Sequence, residues 1–155
     1  MRKVKNWIIG ITAILLLTAI FFTKGFGLFN SNITGSATDV GAIKISLSEI
    51  SEKVKWYEYD SNGVKIRFFA VKADDGSIKT GFDACDICYK FKKGYRQEGN
   101  YLVCNNCGRR FSISGLGTEN KNPGGCWPGY LSSYVDGQNL IIKKSDLVKG
   151  QWRFA

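Results

Sequence analysis

Between Ala42 and Ala155, apolar and polar positions alternate with a period of two in several short runs. Ile43, Ile45 and Leu47 alternate with Lys44 and Ser46, and Val64, Ile66 and Phe68 alternate with Lys65 and Arg67. Successive side chains of a strand point to opposite faces, so runs of this kind, filled by branched and aromatic residues, predict half-buried strands. Ser61-Asn62-Gly63 separates Trp56–Tyr59 from Val64–Val71, and Asp74-Asp75-Gly76 separates that run from Ile78–Phe82. Asn-Gly and Asp-Gly supply the positive φ angles of tight hairpin turns. The pattern returns from Tyr134 to Ile142 around Asp136-Gly137, and Ser145-Asp146-Leu147-Val148 suits one helical turn. There is no internal repeat and no long helical periodicity after residue 24. These features predict an all-β domain over 42–155, a small β-sandwich or barrel.

The first 41 residues follow a different rule. The stretch from Asn6 to Thr23 is 18 residues without a charge, with an apolar run from Trp7 to Phe22. At about 1.5 Å of rise per residue such a helix covers roughly 27 Å, enough for the hydrocarbon core of a bilayer. A cleaved signal peptide shares the basic start, but the run is long for a signal core and the nearest small-x-small site, Gly35-Ser36-Ala37, lies far beyond it. The expectation is therefore a retained anchor over 1–24, with residues 7–23 in the lipid. Arg2, Lys3 and Lys5 precede it and only Lys24 closely follows, which places the N-terminus in the cytoplasm and the domain outside. Residues 25–41, with Gly, Ser, Asn and Thr, read as a flexible tether. Asn32-Ile33-Thr34 fits a glycosylation acceptor, a triplet frequent by chance.

Charge narrows the function only a little. The formal net charge is +9; four of the 22 basic residues and one of the 13 acidic ones precede Ala42, which leaves a net +6 on the domain. No uninterrupted basic run resembles a nucleic-acid arm, so no nucleic-acid partner is expected. Histidine is absent. This removes the commonest general base and nitrogen ligand near neutral pH, along with His-bearing zinc sites, ordinary Rieske ligation and c-type haem attachment. A metal must then be held mainly by sulfur.

The cysteines supply that sulfur. Cys85-x-x-Cys88 and Cys104-x-x-Cys107 are separated by 15 residues, the spacing of a four-thiolate site built from two knuckles. Two intervening residues let one tight turn aim both sulfurs at one ion, and two such turns complete a tetrahedron. Redox-active disulfides, structural disulfides and buried reduced thiols are the competing readings, and an exported domain is a permissive place for disulfides. Cys126, in Pro123-Gly124-Gly125-Cys126-Trp127-Pro128-Gly129, makes the count odd, so the five cysteines cannot all pair within one chain. An extra ligand, a lid and a free thiol are the roles open to it. Lys90, Lys92, Lys93, Arg96, Arg109 and Arg110 lie between or just after the ligand pairs, where they can offset the charge of about −2 on a four-thiolate centre, dock an acidic partner or anionic lipid, or simply face solvent.

Phe82-Asp83-Ala84-Cys85-Asp86-Ile87-Cys88-Tyr89, then Lys93-Gly94-Tyr95-Arg96-Gln97-Glu98-Gly99, Val103-Cys104-Asn105-Asn106-Cys107-Gly108, Arg110-Phe111 and Gly124-Gly125-Cys126 together closely resemble the FtrD-like membrane iron–sulfur protein family. The resemblance runs from about Ile43 to the C-terminus. It implies an iron–sulfur cluster and a place beside membrane iron-uptake or electron-transfer components, with an integral-membrane permease or redox protein as partner. Carried over by position, the ligands would be Cys85, Cys88, Cys104 and Cys107, with Cys126 as a further candidate. Trp127 departs from the family's frequent Asn after Gly-Gly-Cys. A fainter similarity is to Rieske domains, with Cys88 and Cys107 standing where histidines are expected, so the fold is expected to be Rieske-like or zinc-ribbon-like.

Cofactor identity stays open at this level. An iron–sulfur protein folded in the cytoplasm usually needs twin-arginine export, and Arg2-Lys3 offers no Arg-Arg pair. Zinc or copper suits thiolates and binds after translocation. The leading reading is an iron–sulfur electron carrier at the cell membrane. A zinc-stabilised extracytoplasmic binding module and a thiol–disulfide oxidoreductase are the alternatives. No catalytic residues are assigned, and a metal-binding or electron-transfer protein is expected more than an independent enzyme, since no carboxylate pair near the cysteines has acid–base form.

Overall fold

The structure is a computed structural model that describes residues 41–121 and 124–155. The expected anchor, and the tether except Gly41, lie outside the described residues. No described helix is long and apolar enough to cross a membrane.

The described chain is all-β, with one short helix and several 3-10 turns. Its strands are β1 (Ala42–Ser46), β2 (Lys55–Ser61), β3 (Val64–Lys72), β4 (Ile78–Cys85), β5 (Tyr95–Glu98), β6 (Tyr101–Cys104), β7 (Arg110–Ser112), β8 (Pro128–Tyr130), β9 (Tyr134–Asp136) and β10 (Asn139–Lys143). They form three antiparallel sheets, ordered β1-β10-β9, β2-β3-β4-β8 and β5-β6-β7. Helix α1 (Lys144–Lys149) and a 3-10 turn (Gln151–Arg153) close the chain.

The predicted hairpins fall where the turn residues put them. β2 and β3 pair from Lys55 with Ala70 to Ser61 with Val64, around Asn62 at φ 53 and Gly63 at φ 84. β9 and β10 meet around Gly137, and the turn expected at Ser145–Val148 is part of α1. Leu47, read with the first strand, instead opens a 3-10 turn.

β3 explains the layering. Its first half alternates, but Phe68, Phe69, Ala70 and Val71 are all buried, because both faces of its sheet are covered. Ile66, Phe68 and Ala70 pack with Ile45, Phe82, Leu140, Ile142 and Leu147. Phe69 and Val71 pack on the other side with Tyr95, Leu102, Cys104, Phe111 and Ile113. The central sheet is thus the middle of three layers. Burying each large apolar side chain contributes about 1.5–3 kcal/mol, so this double core fixes β4 and β6 as rigid platforms. Both strands end in a cysteine: β4 at Cys85 and β6 at Cys104.

Candidate metal centre

Cys85 and Cys104 are each 2% exposed, because the strands that carry them lie within the core. Each strand then turns outward. After β4 the chain enters a 3-10 turn, Cys88–Phe91, and after β6 it reverses through Asn105–Gly108, leaving Cys88 half-buried and Cys107 exposed. The second reversal is closed by the Gly108 N–H donating to Cys104 O at 2.9 Å and the Cys104 N–H donating to Arg109 O at 2.9 Å.

Three connections hold the two turns together. The Asn105 N–H donates to Gly94 O at 3.0 Å, and Asn105 Nδ2 donates to Lys93 O at 3.0 Å. Asp83 Oδ1 accepts the Tyr95 N–H at 2.7 Å while Arg67 stands 3.4 Å from Oδ2. Burial raises the Asp83 pKa above its ordinary value, against the opposing pull of the Tyr95 N–H and Arg67. Gly94 is required at this junction: its φ is +61, and a Cβ there would lie 2.5 Å from both Asp83 carboxylate oxygens.

The third arm is the loop bearing Cys126. The Asp86 N–H donates to Trp127 O at 3.0 Å, and the Trp127 indole donates to Thr118 O at 3.0 Å while its ring meets Phe111 edge-on. Asn120 Nδ2 bridges Asp86 Oδ2, at 3.2 Å, and Gly125 O, at 3.0 Å. Arg153 donates to Asp86 Oδ1 at 2.7 Å. Asp86 therefore ties the first knuckle, the Cys126 loop and the C-terminal turn together.

As a result four of the five thiols converge. The sulfurs of Cys88, Cys104, Cys107 and Cys126 all lie within 4.8 Å of one another, and Cys107 Sγ is 3.7 Å from Cys126 Sγ. Cys85 falls outside that foursome, accepting the Ile87 N–H at 3.4 Å and a hydrogen bond from the Cys126 thiol. Cys126 thus belongs to the tightest set, joining three of the four residues expected from spacing. Lys90, Lys92, Lys93 and Arg109 are exposed on this side, whereas Arg96 and Arg110 are tied to Glu98 at 2.6 and 3.0 Å.

The protons record the crowding. The Cys107 pKa is lowered, chiefly by the Arg109 N–H, with neighbouring thiols donating to its sulfur against the cost of burial. Cys85 is also lowered: burial opposes, but the Cys126 thiol and the Cys88 and Ile87 N–H groups outweigh it. Cys88 is pushed up to about 11, since burial, Cys107 and the negative charge of Cys85 and Cys104 overcome a hydrogen bond with Asn106. Burial, followed by Cys85 and Cys107, raises Cys126. Without a cation the thiols cannot all ionise together; a bound metal removes that constraint and releases their protons.

The family model described as membrane iron-sulfur containing protein FtrD-like matches residues 50–154. The chain belongs to this family. No curated protein and no solved structure matches it. Membership of the FtrD-like family accords with a donor set that is sulfur alone, and the family is described as membrane-associated. The Tyr95 hydroxyl fits the same chemistry. It is buried without a hydrogen-bond partner, and burial first, then the nearby charge of Cys85, Cys126 and Cys104, holds its proton on. Such a donor is satisfied once a neighbouring sulfur becomes a thiolate.

Asn120, Arg153 and Asn105 were not singled out in the sequence. All three act through contacts 5 to 67 residues distant in the chain, which spacing does not encode. The one available signal was the position of Asp86 between two cysteines.

Proposed function

We propose that this chain is a single-pass cell-membrane protein with a cytoplasmic N-terminus and an extracytoplasmic domain that carries electrons on a cysteine-held iron–sulfur cluster. It serves iron uptake or a membrane redox complex, with an integral-membrane permease or redox protein as partner. The observation that carries this reading is the convergence of cysteine sulfurs in a histidine-free chain of the FtrD-like family. Cys88, Cys104, Cys107 and Cys126 would hold the group, with Cys85 hydrogen-bonded to Cys126. A thiolate-held cluster supplies one-electron redox chemistry. The chain's own residues fix the sulfurs through strand ends, keep water from Cys85 and Cys104, and offset negative charge with exposed lysines.

One distance favours a second reading. Sulfurs about 2.3 Å from a single tetrahedral ion stand about 3.8 Å apart, and Cys107 and Cys126 are 3.7 Å apart. A single thiolate-bound ion, zinc above all, would make the domain a metal-stabilised binding module. Metal and acid-labile sulfide analysis with an absorption spectrum, on the full chain purified without oxygen, separates the two. Iron with sulfide and a brown colour bleached by reductant supports the carrier; one zinc per colourless chain, with cluster loss and zinc substitution controlled for, overturns it. Serine substitutions at Cys88, Cys104, Cys107 and Cys126 are each expected to lower metal content, and the same change at Cys85 reads whether the fifth sulfur ligates.

A further inference from the structure

We infer that the ridge formed by the Cys88–Phe91 turn and Trp152 is a docking face for a protein partner with an apolar centre and an acidic rim. Its purpose, electron exchange, and the choice of a protein over anionic lipid rest on the carrier reading; its apolar and basic character does not. Ile87, Phe91 and Trp152 are 44, 53 and 49% exposed. Ile87 and Phe91 bracket Cys88-Tyr89-Lys90, and the Trp152 ring meets Tyr89 edge-on with centroids 4.8 Å apart. Residues three apart eclipse in a 3-10 turn, which puts Phe91 on the same side as Cys88. Isolated exposed apolar residues need no explanation, but three beside a candidate metal ligand form the centre of an interface.

The rim is basic and uncompensated. Lys90, Lys92 and Lys93 are exposed, and none is in an ion pair among the described residues, unlike Arg96 and Arg110, which share Glu98. Lys92 caps the Cys88–Phe91 turn in a left-handed backbone at φ 53, its N–H donating to Tyr89 O at 2.8 Å, which fixes where the lysine leaves the ridge. Beside it opens a cavity of about 270 Å³ whose lining includes Cys88, Cys104, Arg67, Lys92 and Lys93. Positive charge around an apolar centre selects an acidic face. Anionic lipid offers the same charge, but lipid seated on this ridge would cover Cys88 with a medium that accepts no electron. With a protein partner, one electron passes between the two centres, one oxidised as the other is reduced, and no bond is made or broken.

The test uses the full chain in zwitterionic micelles, loaded with zinc so that docking is read apart from redox chemistry. A fluorescent glutamate- and leucine-rich peptide is titrated by anisotropy against wild type, against Lys90→Glu/Lys92→Glu/Lys93→Glu, and against Lys53→Glu/Lys72→Glu/Lys143→Glu, an equal charge change on other elements. The ridge variant should bind about tenfold more weakly or worse, while the control loses about threefold or less. Phe91→Ser, which leaves charge untouched, should also weaken binding. Equal losses in both charge variants, or no peptide binding at all, would overturn the inference. So would tighter binding to phosphatidylglycerol vesicles than to peptide with the same residue dependence, which would assign the ridge to lipid. A colourless, sulfide-free protein would sink the carrier reading and leave this result standing.

Discussion

Asp86→Asn tests whether the Cys126 loop is positioned through the knuckle or merely lies beside it. The carboxylate takes Arg153 at 2.7 Å on one oxygen and Asn120 on the other, and the two ion-pair side chains are only 13 and 23% exposed. Removing one partner of a fully buried pair costs about 3–5 kcal/mol, largely because a charge is stranded. Asp86 retains some solvent and asparagine keeps an acceptor, so about 2 kcal/mol is the expected loss in urea unfolding, followed by tryptophan fluorescence at fixed free zinc. Asp86→Asn, Arg153→Gln and the double variant should show a coupling of about 1–2 kcal/mol. The functional consequence is separate: the single oxygen of asparagine cannot serve both Arg153 and Asn120, so the side-chain bridge to Gly125 weakens while the backbone bond to Trp127 O stays, and zinc affinity should fall about 10–100-fold. In a Cys126→Ser background that second effect should vanish. A coupling energy within 0.5 kcal/mol of zero, or an undiminished affinity loss without Cys126, would refute the reasoning.

Two further outcomes follow from the same contacts. Gly94→Ala forces a side chain into a left-handed backbone and against both Asp83 oxygens, so it should destabilise by about 2–3 kcal/mol or prevent folding, whereas the same change at Gly99, also at positive φ but with open space, should cost about 1 kcal/mol; denaturation midpoints compare them. In metal-free, reduced protein the thiolate is the reacting species, and Cys107 is lowered while Cys88 is pushed up to about 11. As pH rises from 7 to 9, iodoacetamide should therefore label Cys107 well before Cys88 by peptide mass spectrometry; reversed order would contradict the account of the crowded thiols.

Local signals read the fold well where a turn and a period act together. Asn62-Gly63, Asp75-Gly76 and Asp136-Gly137 each sit at a hairpin, because left-handed turn geometry selects residues independently of the rest of the chain. The pairing of β1 with β10 was not legible, since Ile43 and Ile142 are partners across nearly the whole domain and nothing local distinguishes them from other alternating runs. Nor was the β5–β6–β7 sheet, whose Arg96-Gln97-Glu98 segment is too polar to announce a strand and is placed by Gln97 donating to Glu52 O and accepting the Val54 N–H. At the centre, the knuckles were readable from spacing because two residues between cysteines is itself a geometric constraint. Cys126 was readable as an odd thiol and a candidate further ligand but not as a neighbour of Cys107, because that nearness depends on Asn120, Asp86 and Trp127, three side chains from separate segments.

The division of the core also decides what metal removal does. Zinc-finger domains unfold without their ion because ligation supplies most of their folding energy. Here the cluster of Ile45, Ile66, Phe68, Phe82, Leu140, Ile142 and Leu147 contains no cysteine, and the second cluster buries Cys85 and Cys104 as small apolar residues among Phe69, Leu102 and Phe111. A protonated thiol is tolerated in such surroundings, and burial together with the neighbouring sulfurs keeps Cys88 and Cys126 protonated at neutral pH in the metal-free protein. Stripping the metal under reducing conditions should therefore leave a folded domain with cooperative unfolding and intact near-ultraviolet circular dichroism. Restoring zinc at about a hundred times its dissociation constant should add about 2.7 kcal/mol. Loss of the near-ultraviolet signal on adding chelator and reductant would mean that the two apolar clusters do not hold the sheets without the metal, and that the knuckles are part of the fold's foundation.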